Sequence, residues 1–355
     1  LILLCEPLRV DAKLPTSWYF DARIFELEQR KLFDTGYVAH EHMVPQPGDY
    51  QSIEWLDDAR VLVHGPTGVE LIDNVCRHRQ ALLMTGRGSA RSLVCPAHRW
   101  TYGLDGTLKG APHFSSNPCK HLAQTPLSRW NGLLFTGPTQ IAEDLAQWGA
   151  GSPFDMANYT FDRAIVAECQ QNWKTFIEVY LDLYHVAPAH PGLGNFVSCV
   201  NPQWEFGPRH SVQKVGIRDL QRPGTPIWAE YHDQVKAKVP NRPNGALWLL
   251  YYPNLMLEWY PGALMISTVI PKSPTRTLNV VEFYYPQGTD RAFIEAQQAA
   301  YLETAKEDED LGNRIDRGRA VVLRRGVEDL GPIHSPLEDG IPAFHDYLFQ
   351  QLGAP

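Results

Sequence analysis

The chain has 355 residues and no run of Lys or Arg, and its acidic residues outnumber basic ones 40 to 32, for a formal charge of −8. That balance offers nothing to a nucleic-acid backbone. No apolar stretch approaches the roughly 18 residues that would span a bilayer. The opening Leu1-Ile2-Leu3-Leu4-Cys5 is apolar but short, lacks a basic n-region and a small-residue cleavage site, and is not expected to be a signal peptide. The six cysteines (Cys5, Cys76, Cys95, Cys119, Cys169, Cys199) lack the spacing of a disulfide framework, which points to a reducing, cytoplasmic compartment. There is no internal repeat, no low-complexity tract and no convincing G-x-G-x-x-G, so no dinucleotide is expected on this chain. With 44% hydrophobic and 20% charged residues the composition is that of a soluble globular protein. The length allows one large domain or two ordinary ones.

The strongest positive feature is Cys76-Arg77-His78 followed, after residues 79–94, by Cys95-Pro96-Ala97-His98. Two thiolates and two imidazoles satisfy tetrahedral zinc. They equally suit a Rieske [2Fe–2S] cluster, where two histidines replace two cysteines on one iron and raise its potential. Zinc-finger spacing pairs Cys with Cys and His with His. Here each half supplies one of each, so each loop touches both irons, and the mixed order favours the cluster. Cys119, Cys169 and Cys199 read as small hydrophobes.

Residues 22–33 suit a short amphipathic helix, with Ile24, Phe25, Leu32 and Phe33 on one face. Over 36–145, short apolar or alternating runs (Tyr37–Ala39, Val61–His64, Val69–Ile72, Leu93–Cys95, Leu133–Thr136) broken by Gly, Pro and Asp predict a small antiparallel β domain. The ligand loops would then lie at hairpin ends. Residues 1–35 and 146–355 are expected to form a second domain. In it, 171–186 reads as helix, 246–252, 255–259, 263–270 and 278–285 as successive strands, and 290–325 as one long helix or two. Residues 222–243, rich in Pro and polar groups, read as a mobile loop or lid. The class is α+β, an antiparallel sheet with long helices packed against it.

Inside 171–186, Glu178, Asp182 and His185 fall at i, i+4 and i+7, on one helical face. His190 would sit about 140° further round an unbroken helix. Pro188 is expected to end the helix near Ala187 and let His190 swing back. Two imidazoles and a carboxylate make the facial triad of a non-haem Fe(II) site, with positions left open for O2. Asp182-x-x-His185-x-x-x-x-His190 matches the Asp-x-x-His-x-x-x-x-His pattern of Rieske non-haem iron oxygenases. Together with the cluster motif, and with Asn74-Val75, Trp100, Tyr102-Gly103, Asn172-Trp173-Lys174 and Pro253-Asn254, it makes the chain resemble the α (terminal oxygenase) subunit of that family, from about residue 35 to the end.

The resemblance implies a helix-grip catalytic domain and an Asp ligand from a late helix, commonly in a Glu-Asp pair with a Gln-x-Gly following. Asp316 stands where that Gln is usual. Around Asp308, positions −7, −4, +3 and +7 are Tyr301, Thr304, Leu311 and Ile315, a mostly apolar stripe, whereas the corresponding neighbours of Asp310 are polar. Asp308 is therefore the expected ligand, beside His185 and His190, with Asp310 as alternative. The resemblance also implies a head-to-tail homotrimer, in which His98 of one subunit contacts Asp182 of the next and Asp182 contacts His185. Glu178, one turn before Asp182, would tune this site or be a plain helix-surface carboxylate. Electrons would come from NAD(P)H through a separate flavin or iron–sulfur reductase, with or without a ferredoxin, and O2 would be co-substrate.

The strand aromatics Trp248, Tyr251, Tyr252, Trp259 and Tyr260 could stack on an aromatic substrate, box a quaternary ammonium, or simply be core. Mono- or dihydroxylation of a small aromatic compound is the leading expectation. The alternative is oxidation or N-demethylation of a choline-, betaine- or carnitine-type compound. A Rieske electron carrier without catalysis is the alternative of another class.

Overall fold

A computed structural model describes residues 14–56, 59–218, 224–239, 241, 244–328 and 331–353. Cys5 and the apolar start lie outside them. Thr35–Ala157 forms one compact unit, and the described residues on either side of it form a second.

The larger unit is built on one seven-stranded antiparallel sheet. Its strands are β1 (Tyr159–Cys169), β2 (Val197–Gly207), β3 (His210–Ile217), β4 (Ala246–Tyr251), β5 (Leu255–Tyr260), β6 (Ala263–Ser273) and β7 (Arg276–Pro286), in the spatial order β1-β7-β6-β5-β4-β3-β2. Around it lie α1 (Ala22–Leu32), α2 (Trp173–Leu181), α3 (Pro226–Lys238), α4 (Arg291–Arg324) and α5 (Gly340–Leu352). The central strands are buried on both faces, so β4 reads ALWLLY, without polar alternation. Trp248, Met265 and Phe283 of the sheet join Trp228 and Tyr231 of α3 and Phe293 and Ala300 of α4 in one cluster. Leu250, Met256 and Val269 join Trp173 and Ile177 of α2 and Phe344 and Leu348 of α5 in another.

Helix starts follow capping chemistry. Asn172 accepts from Lys174 N at 2.8 Å at the head of α2, and Asp290 accepts from Phe293 N at 3.0 Å at the head of α4. The α4 helix is continuous for 34 residues, about 50 Å at 1.5 Å per residue.

Three expectations change. The span 222–243 is not a loop throughout, because α3 occupies its centre. Thr225 caps it, Pro226 sits in its first turn, and Trp228, Tyr231, His232 and Val235 form its buried stripe. The helix expected over 171–186 stops at Leu181. Asp182 Oδ1 accepts from Tyr184 N (2.6 Å) and His185 N (3.2 Å), a local turn that competes with the helix. Pro188 does not end a helix but sits inside a short one, Val186–Ala189, whose first turn tolerates it.

The smaller unit holds a five-stranded sheet (87–89, 49–52, 60–65, 68–73 and 124–125, in spatial order) and two three-stranded ones (37–40, 133–136, 127–130 and 93–94, 101–102, 108–110). No helix among the described residues is long and apolar enough to cross a membrane.

Candidate metal centres and active site

In the smaller unit the Cys-x-His and Cys-x-x-His loops have the same backbone design. Cys76 N donates to Ala81 O (2.9 Å) and Cys76 O accepts from Gln80 N (3.1 Å). Cys95 N donates to Trp100 O (2.8 Å) and Cys95 O accepts from Arg99 N (3.1 Å). Gln80 and Arg99, each four residues after its cysteine, both adopt the left-handed conformation, at φ 57° and 61°. The folded loops bury both thiols and set the rings of His78 and His98 4.7 Å apart, while Trp100 stacks on His78 at 4.9 Å.

The four side chains fit a two-iron cluster. His78 Nδ1 is buried without a hydrogen-bond partner, as a metal ligand atom would be. Burial pushes the Cys76 thiol up, but the Tyr102 hydroxyl, the backbone N–H groups of His78 and Arg79 and the contact with Cys95 hold it below the ordinary thiol range, towards the thiolate that binds metal. His98 is exposed, leaving a ligand edge at the surface.

The larger unit brings His185, His190 and Asp308 together. His185 Nε2 and His190 Nε2 lie 3.0 Å apart, and Asp308 Oδ1 is 3.2 Å from the first and 3.0 Å from the second. Behind them, His185 Nδ1 lies 3.1 Å from Asp182 Oδ2, within ion-pair range though off the line of a good hydrogen bond. His190 Nδ1 lies 2.7 Å from Glu307 Oε2. With both Nδ1 atoms turned to carboxylates, three lone-pair atoms converge on one point. Without a cation they must share a proton. Burial lowers the His185 imidazolium, but Asp182 and Asp308 outweigh it and push it up to about 10. Burial likewise raises Asp308, and the two histidines hold it down at about 2. A divalent metal resolves the same conflict with no proton, and two imidazoles with one carboxylate is the donor set of non-haem ferrous iron.

Asp310 is turned away from this point, 58% exposed and 3.0 Å from Lys306 Nζ. Glu178 is also elsewhere. It accepts from Tyr19 Oη, Arg319 Nη2 (2.5 Å) and His345 Nε2 (2.7 Å), none of them a ligand of the triad. Burial raises its carboxyl, and Arg319 first, then His345, holds it at about 2. Its role is to complete a buried polar network tying α2 to α4 and α5. Asp316 belongs to the same network. It accepts from Asn172 N (2.6 Å) and Thr175 Oγ1 (2.5 Å).

Glu307 was not singled out from the sequence, although the Glu-Asp pair was visible there. A cavity of about 270 Å3 adjoins the triad between helices and sheet. Of the five strand aromatics, Trp248 and Tyr260 line it, and Tyr251, Tyr252 and Trp259 do not. Tyr180, Trp228 and Tyr301 add aromatic walls. Glu258, on the same strand face as Met256 and Tyr260, adds a carboxylate only 5% exposed, a residue to which alternation alone draws no attention.

Residues 34–127 match the family model for the Rieske [2Fe-2S] domain, and residues 156–354 match that for the ring hydroxylating alpha subunit (catalytic domain). The chain is 50% identical over 347 residues to the putrescine 2-hydroxylase of Ralstonia nicotianae, covering 95% of this chain and 94% of that protein. It is 44% identical over 364 residues to the putrescine 2-hydroxylase of Bordetella bronchiseptica, covering 96% and 85%. Among solved structures, a quaternary ammonium Rieske monooxygenase superposes with a TM-score of 0.79 over 97% of each chain at 20% identity, a likeness of fold. The Rieske match removes the zinc reading, and a catalytic domain with a converged triad removes the electron carrier. The chain belongs to the Rieske non-haem iron oxygenases as an α subunit, delivering electrons to a mononuclear iron site that oxidises a small organic substrate.

Proposed function

We propose that this oxygenase hydroxylates a small aliphatic amine, of which putrescine is the first to test. The carrying observation is Glu258, a buried carboxylate in the wall of the cavity beside the triad, with no Lys or Arg in ion-pair range among the described residues. An aromatic hydrocarbon or acid, the leading expectation from the sequence, would leave that carboxylate facing an apolar ring or a like charge. A cationic amine complements it. Two putrescine 2-hydroxylases among the relatives favour the same class. The aromatic walls support a quaternary ammonium substrate as second reading, since ring faces attract cations whether or not they carry N–H groups.

When bound, the cluster supplies single electrons and the ferrous ion the open positions at which O2 is activated. Cys76, His78, Cys95 and His98 would hold the first, and His185, His190 and Asp308 the second. Glu307 orients the His190 imidazole by accepting at Nδ1, Asp182 orients that of His185 by its charge at Nδ1, and each Nε2 stays aimed inward. The aromatic walls exclude water from the reacting carbon. Asp182 also serves as the contact to the cluster of a neighbouring subunit in a homotrimer. Its side chain is 21% exposed, and Tyr184 beside it is 57% exposed. A separate reductase delivers the electrons.

The test is oxygen uptake with a generic Rieske reductase against putrescine, carnitine, glycine betaine and benzoate, with products followed by mass spectrometry under labelled O2. Labelled hydroxyamine from putrescine is expected. Turnover of benzoate without turnover of any amine contradicts the proposal.

A further inference from the structure

We infer that Glu258, held by Tyr301, seats an N–H-bearing ammonium group and makes the cavity select primary amines over quaternary ones. The inference rests on the amine reading above and deepens it.

Glu258 lies in β5 opposite Trp248 of β4 and Met265 of β6, positions where a sheet centre ordinarily carries apolar residues. Two other buried glutamates in this unit are paired with cations: Glu28 with Lys174 at 2.6 Å and Glu178 with Arg319 at 2.5 Å. Glu258 instead has the Tyr301 hydroxyl, which donates to Oε1 at 2.9 Å. Such a carboxylate is costly to bury without a cation and is stabilised when a ligand brings one.

The hydroxyl also directs the acceptor. Tyr301 precedes Asp308 by seven residues on α4, so both project from one helix face about 10 Å apart along the axis. An ammonium at Glu258 would therefore point its carbon chain along α4 towards the triad. The rings of Trp248 and Tyr260, with centroids 6.1 Å apart, line the cavity with it. A primary ammonium gives the carboxylate hydrogen bonds. A trimethylammonium group gives it charge alone and leaves a buried acceptor unpaired, the situation in which sites discriminate most sharply.

The experiment measures the affinity and KM of the holoenzyme for putrescine and for its bis(trimethylammonium) counterpart. Wild type is expected to prefer putrescine. Glu258→Leu, which removes the acceptor as well as the charge, should lose roughly ten- to hundredfold in putrescine affinity and less for the quaternary analogue, which loses the charge alone, so the preference shrinks. Tyr301→Phe, which keeps the charge, should shift the ratio in the same direction by a few-fold. An unchanged ratio in Glu258→Leu overturns the inference. If circular dichroism shows that variant unfolded, the Tyr301→Phe ratio decides on the same terms. Amine turnover with an unchanged ratio removes the seat and leaves the amine class standing. No amine turnover by wild type removes the class itself.

Discussion

Replacing Glu258 by Gln should stabilise the protein at alkaline pH and destabilise it at acid pH. Burial, then the charge of Asp308, raises the Glu258 carboxyl from 4.5 to about 8, against the Tyr301 hydrogen bond, which lowers it. Between those values the folded chain holds a proton that the unfolded chain has released. Stability therefore falls as pH rises through that window, and the loss is complete above about 8. At about 1.4 kcal/mol per pH unit, the window is worth roughly 5 kcal/mol as a ceiling. Gln removes that dependence but buries an amide N–H with no assured acceptor, costing about 1–3 kcal/mol at every pH. The variant should thus gain up to roughly 3 kcal/mol near pH 8.5 and lose about 1 kcal/mol near pH 5. At about 2–4 °C per kcal/mol for a domain of this size, the Tm difference between variant and wild type should change sign across the range. Thermal scans of ligand-free protein at the two pH values read this directly. An equal loss of Tm at both would mean that the carboxylate is ionised and satisfied in the free enzyme, and the reasoning about its need for a cation would fail.

Glu307→Gln should weaken iron binding about 10- to 100-fold through the orientation of His190, read as iron per cluster after dialysis, and unchanged iron content would deny Glu307 that role. Metal-free protein should bind ferrous or cobaltous ion more tightly as pH rises. His185, held at about 10, must surrender its proton to the metal, so affinity should climb by up to about tenfold per pH unit per proton displaced, and a flat titration between about pH 6 and 8 would contradict this. In the same metal-free protein the stabilisation from the His185 pairing is fully present below 6.5 and is lost as pH rises through about 10. Asp316→Ala leaves the buried Asn172 N–H and Thr175 hydroxyl without their acceptor and should cost about 1–3 kcal/mol, seen as a lowered Tm with an unaltered cluster spectrum.

The two metal constellations were legible because metal chemistry restricts residue type and spacing. Cys76, His78, Cys95 and His98 stand within 23 consecutive positions, and His185 and His190 within six. The strands of the catalytic sheet were legible from unbroken apolar runs between Pro and Gly turns. Asp308 could be preferred over Asp310 because its helical neighbours are apolar, and the structure turns Asp308, not Asp310, to the two imidazoles.

What the sequence concealed depends on contacts between distant segments. Glu178 has the spacing of a site residue, yet its partners Tyr19, Arg319 and His345 come from three other parts of the chain. Glu258 is the one charged residue of its strand, but nothing in that strand says what it faces. Its meaning appears only when β5 is placed opposite Tyr301. The α3 helix hid behind the Pro-rich composition of its flanks, though its cap and its Trp228, Tyr231, Val235 spacing were readable.

The central claim is that the cluster feeds an iron at His185, His190 and Asp308 that oxidises an amine. The most direct test reduces the cluster stoichiometrically, mixes the protein with labelled O2 and putrescine, and follows cluster bleaching and product together. Reoxidation of the cluster with formation of labelled hydroxyputrescine is predicted in wild type, and a His185→Ala variant should keep its cluster spectrum while forming none. Product formation undiminished in His185→Ala, or wild-type reoxidation that yields no oxidised amine, would contradict the account.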